Sequence, residues 1–222
     1  MKHIILLTFL LAFTTSCKHT SPSATLPEDP KAKEVQRLLA AANALWMPPA
    51  DSIFLHQNNT EHVSINDKEI RARLDSALAL DPANIKVYTG RISYLMACRK
   101  LKEALSTLRE AEKHAPFNAD LWSTKAMLED YYGDSLAAQK NYRSADSAYA
   151  TLIEEYATDS LRYPAFRMNR ALNKAMMTDN FALLEQEVKF TKQIYPTSWK
   201  NVDIDFYGKS KREFFNKLFG KR

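Results

Sequence analysis

The chain has 222 residues, with 31 Lys and Arg against 26 Asp and Glu, two cysteines and four glycines. Two thiols exclude a small disulfide-stapled scaffold, and with so few glycines no phosphate-cradling glycine loop appears anywhere. About 190 residues beyond the first thirty are enough for one domain whose core is held by packing alone.

In chain order, Met1, Lys2 and His3 make a short positive start before the apolar run from Ile4 to Phe13. That run is too short to span a bilayer as a helix and has the length of a secretory core. The small residues Thr14, Thr15 and Ser16 then lead into Cys17. The pattern resembles a bacterial lipoprotein signal, with Thr14 in place of the common leucine, as in lipoproteins of the Bacteroidetes group. The resemblance implies a signal peptide over 1–16 and acylation of Cys17, which becomes the first residue of the mature chain. Residues 17–30 are rich in Ser, Thr and Pro and read as a flexible tether. Lys18 stands where enterobacterial lipoproteins kept in the inner membrane carry aspartate, and no acidic run follows the cysteine. A lipid-anchored, periplasm-facing position on the outer membrane is therefore expected. Two or more acyl chains would make that attachment stable, at about 0.8 kcal/mol per buried methylene.

Without Lys2 the chain carries 30 basic and 26 acidic residues. The surplus sits after Ser198, where Lys200, Lys209, Lys211, Arg212, Lys217, Lys221 and Arg222 face Asp203, Asp205 and Glu213. The body between is neutral and offers no footprint for nucleic acid.

The segment "KAKEVQRLLAAANALW" has helical periodicity and is followed by 47–65, "MPPADSIFLHQNNTEHVSI", which does not. The segment "IRARLDSALALD" then reads as the second helix of a first pair. From there a period of thirty-four residues emerges: Ala77 aligns with Ala111, Pro82 with Pro116, Asn84 with Asn118 and Tyr88 with Trp122. Ala104, Ala111 and Leu108 supply the small and filling positions between paired helices, and Pro116 stops the second helix. Residues 85–118 resemble a tetratricopeptide repeat, with Ile92 where that family has Gly or Ala. Residues 119–157 repeat the frame with Trp122, Ala126, Gly133, Ala138, Tyr142 and Ala145, and Ala150 in place of the stopping proline lets the helix run on to about Tyr156. A weaker unit spans 165–198, with Met168, Ala171, Leu172, Ala175, Phe181, Leu184, Val188 and Pro196. The resemblance implies an all-α, right-handed α-solenoid of about four tetratricopeptide-like helix pairs over 31–198. In "KREFFNKLFGKR", Phe214, Phe215, Leu218 and Phe219 share a helical face, so 199–222 reads as a basic capping segment. The other readings of that stretch are a basic amphipathic helix touching anionic lipid or lipopolysaccharide, and docking of a partner.

Catalytic chemistry is not indicated. His56 and His62 share the 47–65 stretch without a matching ligand set, Cys98 has no histidine at a coded spacing, and Glu129-Asp130 and Glu154-Glu155 read as solvated neighbours. No metal or cofactor is expected, and an enzyme is not expected. The family resemblance puts the first helix of each pair on a concave face, giving Lys86, Thr89, Ser93, Met96, Asp120, Ser123, Met127, Asp130, Asn169, Arg170 and Asn173 as a candidate groove. Amides, hydroxyls and methionines of this kind suit a protein or peptide segment. Relatives that grip a chaperone's C-terminal carboxylate use lysine and asparagine at positions where Thr89, Ser93 and Ser123 stand here. The expected function is a non-catalytic binding scaffold of the cell envelope, by analogy with envelope-assembly lipoproteins. The alternatives are a glycan-binding lipoprotein of the SusD-like, starch-binding kind, or a structural protein bridging to the membrane.

Overall fold

A computed structural model describes residues 29–46, 66–197, 199 and 207–220. The expected signal, Cys17, the expected tether up to residue 28 and the 47–65 stretch lie outside the described residues. Those residues form helices α1 (Pro30–Trp46), α2 (Asp67–Leu80), α3 (Ile85–Ala97), α4 (Leu101–His114), α5 (Ala119–Tyr132), α6 (Ser135–Glu155), α7 (Arg162–Thr178), α8 (Ala182–Ile194) and α9 (Lys211–Phe219), with no strand among them. None of these helices is long and apolar enough to cross a membrane. The chain divides after Phe117 into two compact units.

In the first unit α1 packs along α2, α3 along α4, and α2 against α3. The stripe Leu101, Ala104, Leu105, Leu108 and Ala111 buries one face of α4 at helical spacing. Gly90 lets α1 lie close to α3, because a Cβ there would meet Leu39 Cδ1 at 2.8 Å. Asp67, in the first turn of α2, ties three helices together. It accepts from Arg71 Nε at 2.9 Å, from Lys100 Nζ at 3.0 Å and from the Tyr94 hydroxyl. Burial pushes this carboxyl up, but the hydrogen bonds from Tyr94, Arg71 and Lys100 outweigh it and hold it well below the ordinary range.

In the second unit α6 packs against both α5 and α7, and α8 packs on α7. Ala119, Ala145 and Tyr149 form a buried cluster, with Trp122, Ala148, Leu152 and Phe166 packed around it. With Ala150 in its sequence, α6 runs 21 residues to Glu155. Pro164 lies in the first turn of α7, where a missing N–H costs nothing.

The thirty-four-residue period has a local cause at both ends of the first helix of a pair. The Asn84 side chain accepts from the backbone N–H of Lys86 and Val87, and that of Asn118 accepts from Leu121, so the aligned asparagines cap α3 and α5. Between paired helices, Lys100 N donates to Leu95 O at 2.8 Å and Arg99 N to Met96 O at 3.0 Å; thirty-four residues on, Asp134 N donates to Glu129 O at 2.9 Å and Gly133 N to Asp130 O at 3.0 Å. Both are Schellman closures around a left-handed residue. Arg99 has φ 57°, Gly133 φ 89° and Asp179, between α7 and α8, φ 55°. Only glycine takes that conformation without a Cβ penalty.

The Arg99→Gly chain is therefore expected to be more stable by about 1 kcal/mol, read as a rise in urea midpoint at unchanged slope. An unchanged or lower midpoint would show that Arg99 makes contacts worth more than the strain.

Candidate functional site

The candidate groove residues fall in both units. In the first unit Lys86 is exposed in the first turn of α3, while Thr89, Ser93 and Met96 are buried. The Thr89 and Ser93 hydroxyls donate to their own helix, at Ile85 O (2.8 Å) and Thr89 O (2.7 Å). Cys98 follows at the end of α3, half-buried, and burial pushes its thiol up, away from reactivity.

In the second unit α5 is enclosed on nearly every side, with Asp120, Ser123, Thr124, Lys125, Met127 and Glu129 all buried. Burying a carboxylate is costly unless donors meet it, and the neighbouring helices provide them. Tyr149 of α6 donates its hydroxyl to Asp120 Oδ1 at 2.6 Å, and Asn169 of α7 donates to the same oxygen at 3.2 Å. The structure thus joins two predicted residues, Asp120 and Asn169, directly, and adds Tyr149 to the same carboxylate oxygen. Among the described residues no cation is a hydrogen-bond donor to this carboxylate. Burial pushes the Asp120 carboxyl up to about 6, with the bonds from Tyr149 and Asn169 holding it partly down.

Arg170 and Asn173 also reach α6. The Arg170 guanidinium grips Asp146 at 2.7 and 3.1 Å, and Asn173 Nδ2 donates to the Tyr142 carbonyl at 2.9 Å. Asn173 is fully buried, and its Oδ1 has no hydrogen-bond partner among the described residues. These two side chains fasten one helix pair to the next. Arg167 does the same within a pair, meeting Glu187 of α8 at 2.7 and 2.8 Å while lying over Phe190.

Glu129 differs from its reading as solvated. It is 2% exposed, accepts from Asn141 Nδ2 at 2.6 Å, and has Lys125 Nζ at 3.9 Å. Adjacent Asp130, on another face, accepts from Lys211 Nζ at 2.8 Å and from the Tyr142 hydroxyl at 3.3 Å. Tyr142 was legible as the aromatic position of its repeat. Tyr149, seven residues on and so on the same face of α6, carried the same periodic signal. Asn141 and Lys211 had no local mark, because their partners lie on another helix. Among the described residues no three His, Cys, Asp or Glu side chains converge as a metal set.

Compared with known proteins, the chain matches no family model, no curated protein and no solved structure.

The sign of the Asp120 effect is fixed by its direction. A carboxyl raised in the folded state holds its proton more tightly there than when unfolded. Its contribution is therefore most favourable in acid and is lost as pH rises through about 6. Asp120→Asn should remove this dependence, stabilising the chain at pH 7.5 relative to pH 4.5 by about 2 kcal/mol compared with wild type. Parallel denaturation curves for the two chains at both pH values would refute the buried-carboxylate account.

Proposed function

We propose that this chain is a lipid-anchored, non-catalytic scaffold of tetratricopeptide-like helix pairs that captures a protein segment in the cell envelope. The observation that carries the reading is the duplicated turn: the same Schellman closure and left-handed residue recur thirty-four residues apart, as do the capping asparagines. A repeated pair of this kind cannot bury its apolar face alone and gains stability by stacking on its neighbours. The side chains between helices of the second unit engage one another in a fixed polar lattice, Asp120 with Tyr149 and Asn169, Arg170 with Asp146, and Arg167 with Glu187. Such a lattice favours a rigid presenting surface. Lys86, exposed on α3, is the candidate groove residue most available to a partner.

The lipid at Cys17 would hold the scaffold at the membrane and raise its local concentration there. The segment bound would be extended or helical and would carry some negative charge to meet Lys86.

Crosslinking in intact cells, followed by mass spectrometry of captured proteins, tests this with native, Cys17→Ala and Lys86→Glu chains. The native chain should enrich one envelope complex; Cys17→Ala should leave the membrane fraction and lose it, and Lys86→Glu should reduce capture about tenfold, or 1.4 kcal/mol. Retention of a glycan with no protein captured would overturn the reading.

A further inference from the structure

Helix α9 lies over the turn ends of the second unit's helix pairs, while Leu183, Phe190 and Ile194 on α8 stay exposed. Its partners come from four elements. Lys211 Nζ meets Asp130 at the end of α5, at 2.8 Å, and stands 5.9 Å above the Tyr142 ring of α6. The backbone N–H of Lys211 donates to Asp179 Oδ1, in the α7–α8 turn, at 2.7 Å. Tyr131 receives Phe215 and Phe219 edge-on at 5.5 and 4.9 Å, and Phe181 receives Phe214 at 6.3 Å. A helix of nine residues is about 14 Å long, so both inter-helix turns lie within reach of one short helix.

The surface beneath α9 has a definite chemistry. Asp179 places a carboxylate at the N-terminal end of a helix, where the dipole and the free N–H groups attract it. It does so from the left-handed position that glycine would fill without strain, with φ 55°. Asp130 takes the ammonium of that same first residue, Lys211, and Tyr131 and Phe181 take aromatic rings. Everything α9 brings to this surface answers it: a lysine at the first helical position and phenylalanines at 214, 215 and 219.

We propose that this acidic and aromatic surface is a binding site for a basic, phenylalanine-bearing amphipathic helix, with α9 as its resident intramolecular ligand. A partner segment of the same chemistry enters only by displacing α9. Nine residues are too few for a helix to persist alone in water, so α9 forms when docked and is lost when displaced. The proposal rests on the reading that the chain captures protein segments, and it adds a second, gated site of opposite charge preference to the face carrying Lys86.

The test uses a fluorescent peptide covering residues 207–220 and the full chain. Tethering gives α9 an effective concentration on the order of millimolar, so the wild-type chain should bind the added peptide weakly. A chain with Lys211→Ala, Phe215→Ala and Phe219→Ala should bind it at least tenfold more tightly, and adding Asp130→Asn should abolish that gain. Equal anisotropy titrations for wild-type and triple-variant chains of unchanged helicity would overturn the gate. Should the triple variant lose its fold, Asp179→Gly in the otherwise native chain decides the matter, since glycine suits that turn. Its α9 amides should exchange with deuterium about tenfold faster while α5 to α8 are unaltered, and unchanged α9 exchange would overturn the proposal. Cellular capture that is lost with Lys86→Glu but shows no peptide gate would retain the scaffold and discard only the gate.

Discussion

A helix can double back on its neighbour within three residues only if one of them turns left-handed and the exposed carbonyls behind it find donors. The left-handed residue recurs at Arg99, Gly133 and Asp179, the carbonyls behind the first two find backbone donors, and the rest of each helix pair depends on the turn. The closure sets where the second helix starts and so which of its faces meets the first. The same demand is met at three different costs. Gly133 adopts the conformation without strain, with nothing within 4 Å of a Cβ added there. Arg99 and Asp179 adopt it against a penalty on the order of 1–2 kcal/mol each, and the Asp179 carboxylate accepts a bond from α9 in that position.

The polar interior of the second unit follows from how α5 is placed. A helix enclosed on most sides is ordinarily apolar, yet α5 carries Asp120, Lys125 and Glu129 into the interior. Each is met from another turn or another helix. Exchanging one partner for an apolar group would strand a charge, and such losses cost several kcal/mol. The arrangement makes the relative positions of α5, α6 and α7 strict: a slip of one turn would separate Asp120 from Tyr149 and Asn169 together. Strictness of this kind adds little net stability, but it holds a surface in a single shape.

The candidate groove was chosen from positions along the first helices, and the sequence could name the positions without naming the side chains' partners. Asp120 and Asn169 do meet, but Arg170 and Asn173 reach back to α6. A helical repeat marks which residue stands on which stripe; it does not tell whether a long side chain spans outward or folds across to the neighbour. Helix α9 shows the same limit. Its apolar face was plain from four residues, and Phe214 and Phe219 are buried as that face requires. Its seat, over two turns, depends on Asp130 and Asp179 coming within reach of one lysine.

By itself the sequence determined the helical class of the described residues, the spacing at which caps and turns recur, and the long run of α6. Those features arise from residues within one turn of each other: Asn84 and Asn118 capping the N–H groups just ahead, Gly133 closing the turn just behind, Ala150 letting α6 continue. The tertiary structure alone decided which carboxylates are buried, which cations hold them, and where the C-terminal helix lies. These are set by groups dozens of residues apart, such as Lys211 with Asp130 or Asn169 with Asp120. A pattern of spacings along one chain carries no information about a distance that only folding creates.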